Sequence, residues 1–360
     1  MKKRTFLKNL GLGAGATLLL PNLITSCDTP QSEEFKLWVW TGGNDKDETQ
    51  WMSEFKRLAD AGFHGVFVGG GASVLEKAIP AAKEYGLEIH AWVWVTNQPG
   101  NKEAQAHPEW YAVSRDGNSS LDVRPYVDYY QWLCPSKPAV QEFLFNKLMA
   151  VCEIDGLDGI QLDYVRYCDV ILPRGLWEKY DLVQDHEMAE YDFCYCDTCR
   201  SQFADKHGYD PLQIEDATSD ENWRQFRYDS ITNLVNKLAA GVHERKKQIS
   251  ASVFATPQLA RKFVRQAWDE WDLDFVMPMI YYDFYAKDHD FIKTGTQEGV
   301  KALNGKIPLY TAQYLSEKNI EDVKMMVENS KAGGANGMAL FNYSLMNDNF
   351  LEVIKTGAKA

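Results

Sequence analysis

Asp163 closes the β-rich part of the run Leu157-Asp158-Gly159-Ile160-Gln161-Leu162-Asp163-Tyr164-Val165-Arg166-Tyr167, and is the residue best placed to do chemistry. At the end of a short strand, its carboxylate can reach past the strand into whatever lies beyond. Arg166 is near enough in sequence to hold that carboxylate ionised, since a neighbouring cation favours the charged form. An ionised Asp serves as a nucleophile or charge stabiliser, whereas an acid needs the reverse environment. The plainer alternative is an Asp–Arg ion pair that only closes the end of the fold. Acid–base chemistry also needs a second carboxyl. Asp283, in Met279-Ile280-Tyr281-Tyr282-Asp283-Phe284-Tyr285, is the first candidate for a proton donor and Glu317 the second; each is otherwise a solvated loop carboxylate.

Cys194-Tyr195-Cys196-Asp197-Thr198-Cys199 has the spacing C-x-C-x-x-C, and Cys134 lies upstream in Trp132-Leu133-Cys134-Pro135-Ser136. Thiols one residue apart strain to pair with each other, while several thiolates converge readily on tetrahedral Zn2+. Cys134, Cys194, Cys196 and Cys199 are therefore expected to form a structural zinc site. Disulfides or free thiols are the alternatives, and Cys168 could replace Cys134. A closed four-Cys site leaves no position for water, so no catalytic cofactor is expected.

The chain also holds 11 Trp, 18 Tyr and 17 Phe. Trp38 and Trp40 alternate, as do His90, Trp92 and Trp94, and period two puts each set on one face of a strand. The earlier members read as core. Trp40, Trp94, Tyr281, Tyr282 and Tyr343 fall at strand tops, where flat rings with polar handles suit sugar faces and hydroxyls. Tyr164 and Arg166 join them as candidate substrate contacts.

An alternating series of elements must position these residues. The pattern predicts strands at 36–40, 65–69, 88–95, 159–163, 250–255, 275–281, 308–312 and 337–342, each followed by an amphipathic helix. Eight strand–helix pairs in series predict one α/β domain, a (β/α)8 barrel, with helices stopping at Gly62, Gly86, Gly305 and Gly334. Two connections, 96–138 and 165–221, are far longer than usual. Both follow a strand, so both rise on the C-terminal face, where barrel active sites sit. A composition of 45% hydrophobic and 25% charged residues excludes a disordered chain. A net charge of −13, with no basic run beyond the N-terminus, argues against nucleic-acid binding. There is no Gly-x-Ser-x-Gly elbow and no convincing phosphate loop.

The first residues read as an address. Lys2, Lys3 and Arg4 precede an apolar stretch, Leu10 to Leu20, too short to span a bilayer, and Leu23-Ile24-Thr25-Ser26-Cys27 follows. This ending resembles a bacterial lipobox, which implies acylation of Cys27. Lys3-Arg4-Thr5-Phe6-Leu7-Lys8 resembles a twin-arginine export signal with Lys3 in place of the first Arg. The expected organisation is a signal at 1–26, a tether at 27–34 and a barrel at 35–360, with the insertion 165–221 carrying the cysteine run. The protein would be exported and lipid-anchored in the cell envelope, touching the membrane only through its acyl chains.

The run DGIQLDYVRY, with its WVW strands and the later FVMPMIYY, resembles the bacterial glycosyl-hydrolase-like barrel families, the family-ten-like group and its relatives. The resemblance implies a glycan-acting barrel with Asp163 at the matched position and an oligo- or polysaccharide as substrate. The pairing of a strand-four Asp with a strand-six Asp also resembles the α-galactosidase-type clan. The cysteines resemble the structural zinc site of family 42 β-galactosidases, where a loop Cys joins a CYCxxC run. That likeness departs at the catalytic acid: those enzymes carry Asn-Glu after the strand-four Asp, and this chain has Tyr164-Val165. The expected function is glycoside hydrolysis, the alternatives being a non-catalytic carbohydrate-binding lipoprotein or a structural envelope protein on the same scaffold.

Overall fold

A computed structural model describes residues 34–43 and 45–359; the signal segment, Cys27 and the tether up to residue 33 lie outside the described residues. Eight parallel strands close in sequence order into a barrel: β1 (Lys36–Gly42), β2 (Gly65–Gly69), β3 (Glu88–Trp94), β4 (Gly159–Asp163), β5 (Gln248–Phe254), β6 (Phe275–Met279), β7 (Tyr310–Tyr314) and β8 (Gly337–Phe341). Residues from Glu34 onward form one compact unit. No helix among the described residues is long and apolar enough to cross a membrane.

Alternation sorts each strand between two cores. Leu37 and Val39 face the helices, while Trp38 and Trp40 fill the barrel with Phe67, Phe275 and Met277. Large and absent side chains alternate around the narrow end. Gly65 is in register with Trp38, and Gly159 with His90. A methyl group at Gly65 would come within 2.3 Å of the Trp38 ring, and one at Gly159 within 2.5 Å of the His90 ring. Helix ends follow the expected glycines, which take the left-handed φ that a residue with a Cβ resists: Gly62 +86°, Gly86 +66°, Gly305 +75°, Gly334 +88°.

Asp158 acts at the closed end. Its carboxylate accepts from the Ile89 amide (2.9 Å) and Lys83 Nζ (2.7 Å), tying β3 to the start of β4. Beyond β3 and β4 rise the two long connections. They carry short helices (Lys102–Gln105, Trp177–Tyr180, Asp197–His207) but no further sheet, only isolated bridges such as Tyr111–Leu133 and Ser114–Phe193.

Candidate active site

The chain leaves β4 by a sharp turn. Tyr164 takes φ +49°, a left-handed conformation costly for a bulky residue, and this reverses the backbone beside the Asp163 carboxylate. Thr96, after β3, fixes the turn: its amide donates to Tyr164 O (3.1 Å) and its hydroxyl donates to Arg166 O (2.6 Å). Asp163 then accepts from Trp92 Nε1 (2.9 Å) and from the Tyr164 amide (2.7 Å). Below it runs a neutral polar thread. Trp40 Nε1 donates to Gln161 (3.1 Å), and Gln161 Nε2 donates to Ser252 Oγ (2.8 Å).

Arg166 does not do what its spacing suggested. Its guanidinium pairs with Asp169 Oδ2 at 3.1 Å and stacks over Trp132, with Phe254 and Tyr164 alongside. Burial therefore dominates at Asp163 and pushes its carboxyl up to about 6, against the lowering pull of its two hydrogen bonds and the more distant Arg166 charge. Such a carboxyl can hold a proton near neutral pH, whereas the sequence alone points to one kept ionised as a nucleophile or charge stabiliser.

Asp163 lies on the wall of a cavity of about 380 Å³ at the C-terminal end of the barrel. Of the expected substrate contacts, Trp40, Trp94, Tyr164, Arg166 and Tyr281 line it. One bank of rings is built by Trp94 against Tyr164 (4.5 Å between centroids) and Tyr129 (6.1 Å). The other is Tyr314 against Tyr281 (5.7 Å) and Phe341 (6.0 Å).

Four expected members lie outside the cavity lining. Asp283 is exposed on a short 3-10 turn, Tyr282–Tyr285, although partial burial does raise its carboxyl. Glu317 is exposed after β7. Tyr282 is buried and directs its hydroxyl at Asp322 (3.4 Å). Tyr343 accepts from Arg57 Nη1 (2.6 Å) on the helical side of the barrel. Each follows a strand, but the 3-10 turns after β6 and β8 rotate Asp283, Tyr282 and Tyr343 away from the mouth. Sequence reasoning missed Asp169 and the ring-bearing wall Tyr126, Tyr129, Tyr130 and Tyr180. The dense aromatics of Pro125-Tyr126-Val127-Asp128-Tyr129-Tyr130-Gln131-Trp132, in a connection far longer than a turn needs, were the available signal.

The four expected cysteines converge. Cys134, Cys194, Cys196 and Cys199 are buried, and their sulfurs all lie within 4.8 Å of one another. Cys134 Sγ is 3.4 Å from Cys199 Sγ and 3.6 Å from Cys196 Sγ. Tetrahedral zinc with bonds of about 2.3 Å needs sulfurs about 3.8 Å apart, so this cluster can hold such an ion. Cys168 is buried elsewhere, with its thiol pushed up by burial, and Cys152 is core, pushed up to about 11 by the same cause.

Among solved structures, a β-galactosidase from Halorubrum lacusprofundi aligns at TM-score 0.66 and 16% identity, over 90% of this chain and 58% of that one. A β-galactosidase from Bacillus circulans sp. alkalophilus aligns at 0.61 and 11%, over 92% and 56%. The chain thus spans less than three-fifths of these β-galactosidases. The catalytic domain of a β-amylase from Paenibacillus polymyxa aligns at 0.58 and 11%, over 90% of this chain and 98% of that one. At such identities the likeness is one of fold. No curated protein matches in sequence. Residues 38–326 match the family described as Glycosyl hydrolase-like 10, and the chain belongs to that family.

Proposed function

We propose that the protein is a glycoside hydrolase acting on an oligo- or polysaccharide of the cell envelope or its surroundings, with Asp163 as the proton donor. The observation that carries this reading is a desolvated carboxyl, held by Trp92 and the Tyr164 amide, on the wall of an aromatic cavity at the C-terminal end of the barrel. Rings stack on sugar faces, and a carboxyl raised to about 6 can protonate a glycosidic oxygen near neutral pH. The cysteine cluster would hold structural zinc. Its ligands come from both long connections, so the ion would brace the loops that build the cavity wall, with no part in bond cleavage. Acylated Cys27 would tether the barrel to the membrane.

A panel of glycans digested by the full chain tests this, with Asp163→Asn as control. Turnover that disappears in the variant while its melting temperature holds supports the reading; wild-type activity in Asp163→Asn defeats it. The position of Asp283 and Glu317 outside the cavity favours a second reading, non-catalytic carbohydrate binding. Glycan binding without turnover would establish that one instead.

A further inference from the structure

We propose that Asp169 is the second carboxyl of the reaction, the base that activates the attacking water opposite Asp163; this rests on reading the cavity as a hydrolase site. Asp163 and Asp169 are the carboxyl-bearing residues among those lining the cavity. Asp169 is 2% exposed; the Tyr126 hydroxyl donates to its backbone carbonyl, and its carboxylate is held by two contacts, both on Oδ2: Arg166 Nη1 at 3.1 Å and the Tyr130 hydroxyl at 2.9 Å. Arg166 Nη2 also donates to that hydroxyl (3.2 Å), so guanidinium, phenol and carboxylate form a closed ring of contacts. Oδ1 is left for another partner. A buried ion pair is costly unless well hydrogen-bonded, and a pair serving only as a brace is often replaceable by apolar packing. This one stands on a cavity wall otherwise made largely of rings. Both carboxyls are withdrawn from solvent, but Asp169 touches a guanidinium and Asp163 has no cation in contact, a difference that suits a base and an acid.

The step balances without a co-reactant. Asp163 gives its proton to the glycosidic oxygen as the C1–O bond breaks, and the bonding pair leaves with the alcohol. Water oxygen forms the new bond to C1, and Asp169 Oδ1 takes the water's proton. Exchange with solvent then returns a proton to Asp163 and removes one from Asp169.

The assignment is tested with the full chain on 2,4-dinitrophenyl glycosides of several common sugars and on the matching methyl glycosides. Dinitrophenolate leaves without protonation. Asp163→Ala is therefore expected to keep turnover of the dinitrophenyl substrate within about tenfold of wild type and to lose about 10³-fold on the methyl glycoside. Asp169→Ala is expected to lose about 10³-fold on both, and to regain at least tenfold when sodium azide is added, with glycosyl azide as product. A merely structural Asp169 predicts loss on both without a glycosyl azide, which overturns the proposal. Asp169→Asn keeps the shape and an acceptor for Tyr130. If Asp169→Ala melts early, azide-dependent product from Asp169→Asn decides, and activity in Asp169→Asn within tenfold of wild type overturns the assignment. No wild-type turnover on any glycoside defeats the hydrolase reading itself, and this assignment with it.

Discussion

A carboxyl raised to about 6 has consequences for rate and stability that can be separated. As a general acid, Asp163 must be protonated, so kcat/KM is expected to fall on the alkaline side with an apparent pKa near 6. Stability runs the same way. The folded chain holds this proton more tightly than the unfolded one, whose group titrates near 3.8. The contribution of Asp163 to stability therefore falls as pH rises between those values and stays low above them. Asp163→Asn removes that penalty. Thermal melts are expected to show the variant at or above wild type at pH 8, with the difference shrinking below pH 6 and vanishing only below 3.8; a variant that melts well below wild type at pH 8 contradicts the burial argument. Asp163 itself was legible in the sequence, because a strand end fixes where a side chain points. Its partner was not. Arg166 lies three residues from both Asp163 and Asp169, and spacing alone offers both pairings. The left-handed turn at Tyr164 swings Arg166 onto Trp132 and Asp169, and nothing in a Tyr-Val pair announces that turn.

The elements were legible nearly residue by residue, since strand alternation, helix periodicity and capping glycines all act locally. Departures have local causes too. The helix after β5 is only Pro257–Val264, because Arg265 turns left-handed (φ +57°) and the Gln266 side chain bends back to accept from the Phe254 amide (3.0 Å). β7 starts at Tyr310 rather than Pro308, a residue with no N–H to donate to a ladder. The long connections were not legible, because contacts distant in sequence shape them. At Gly175 the loop after β4 meets the turn after β6 so closely that a Cβ would lie 1.9 Å from the Asp283 carbonyl. Gly175→Ala is expected to push these walls apart, at a strain of about 1–3 kcal/mol, and to raise KM more than it lowers kcat. The cysteine cluster draws residues of both long connections together, and the proposed zinc would hold them there. Cys196→Ser is expected to lower bound zinc, measured by metal analysis of the purified protein, and to raise KM together with a lower melting temperature. Unchanged zinc content, or wild-type protein purified without zinc, would defeat the zinc proposal.

At the scale of the whole molecule, surface charge would select among glycans, and the proposed anchor would fix where the barrel meets them. The net charge is −13, and loss of a signal carrying Lys2, Lys3, Arg4 and Lys8 would make it −17. A field of that sign repels polyanions, and the repulsion is screened as the Debye length shrinks from about 10 Å at 0.1 M salt to about 3 Å at 1 M. Inside the cavity, Arg166 is already spent on Asp169, and the other cation among the lining residues, Lys179, is exposed at the rim with its ammonium over the Tyr180 ring. Neutral oligosaccharides should therefore be turned over at a rate nearly independent of salt. Acidic polysaccharides should be slow at low salt and gain as salt rises, chiefly through KM. The comparison is best made on the Cys27→Ser protein, which, if the proposed acylation is right, is expected to leave the membrane fraction while keeping kcat on soluble glycans, because the described residues that line the cavity do not include Cys27. A salt response that is equal for neutral and acidic glycans would mean that the surface field does not reach the cavity, and that selection rests on the rings alone.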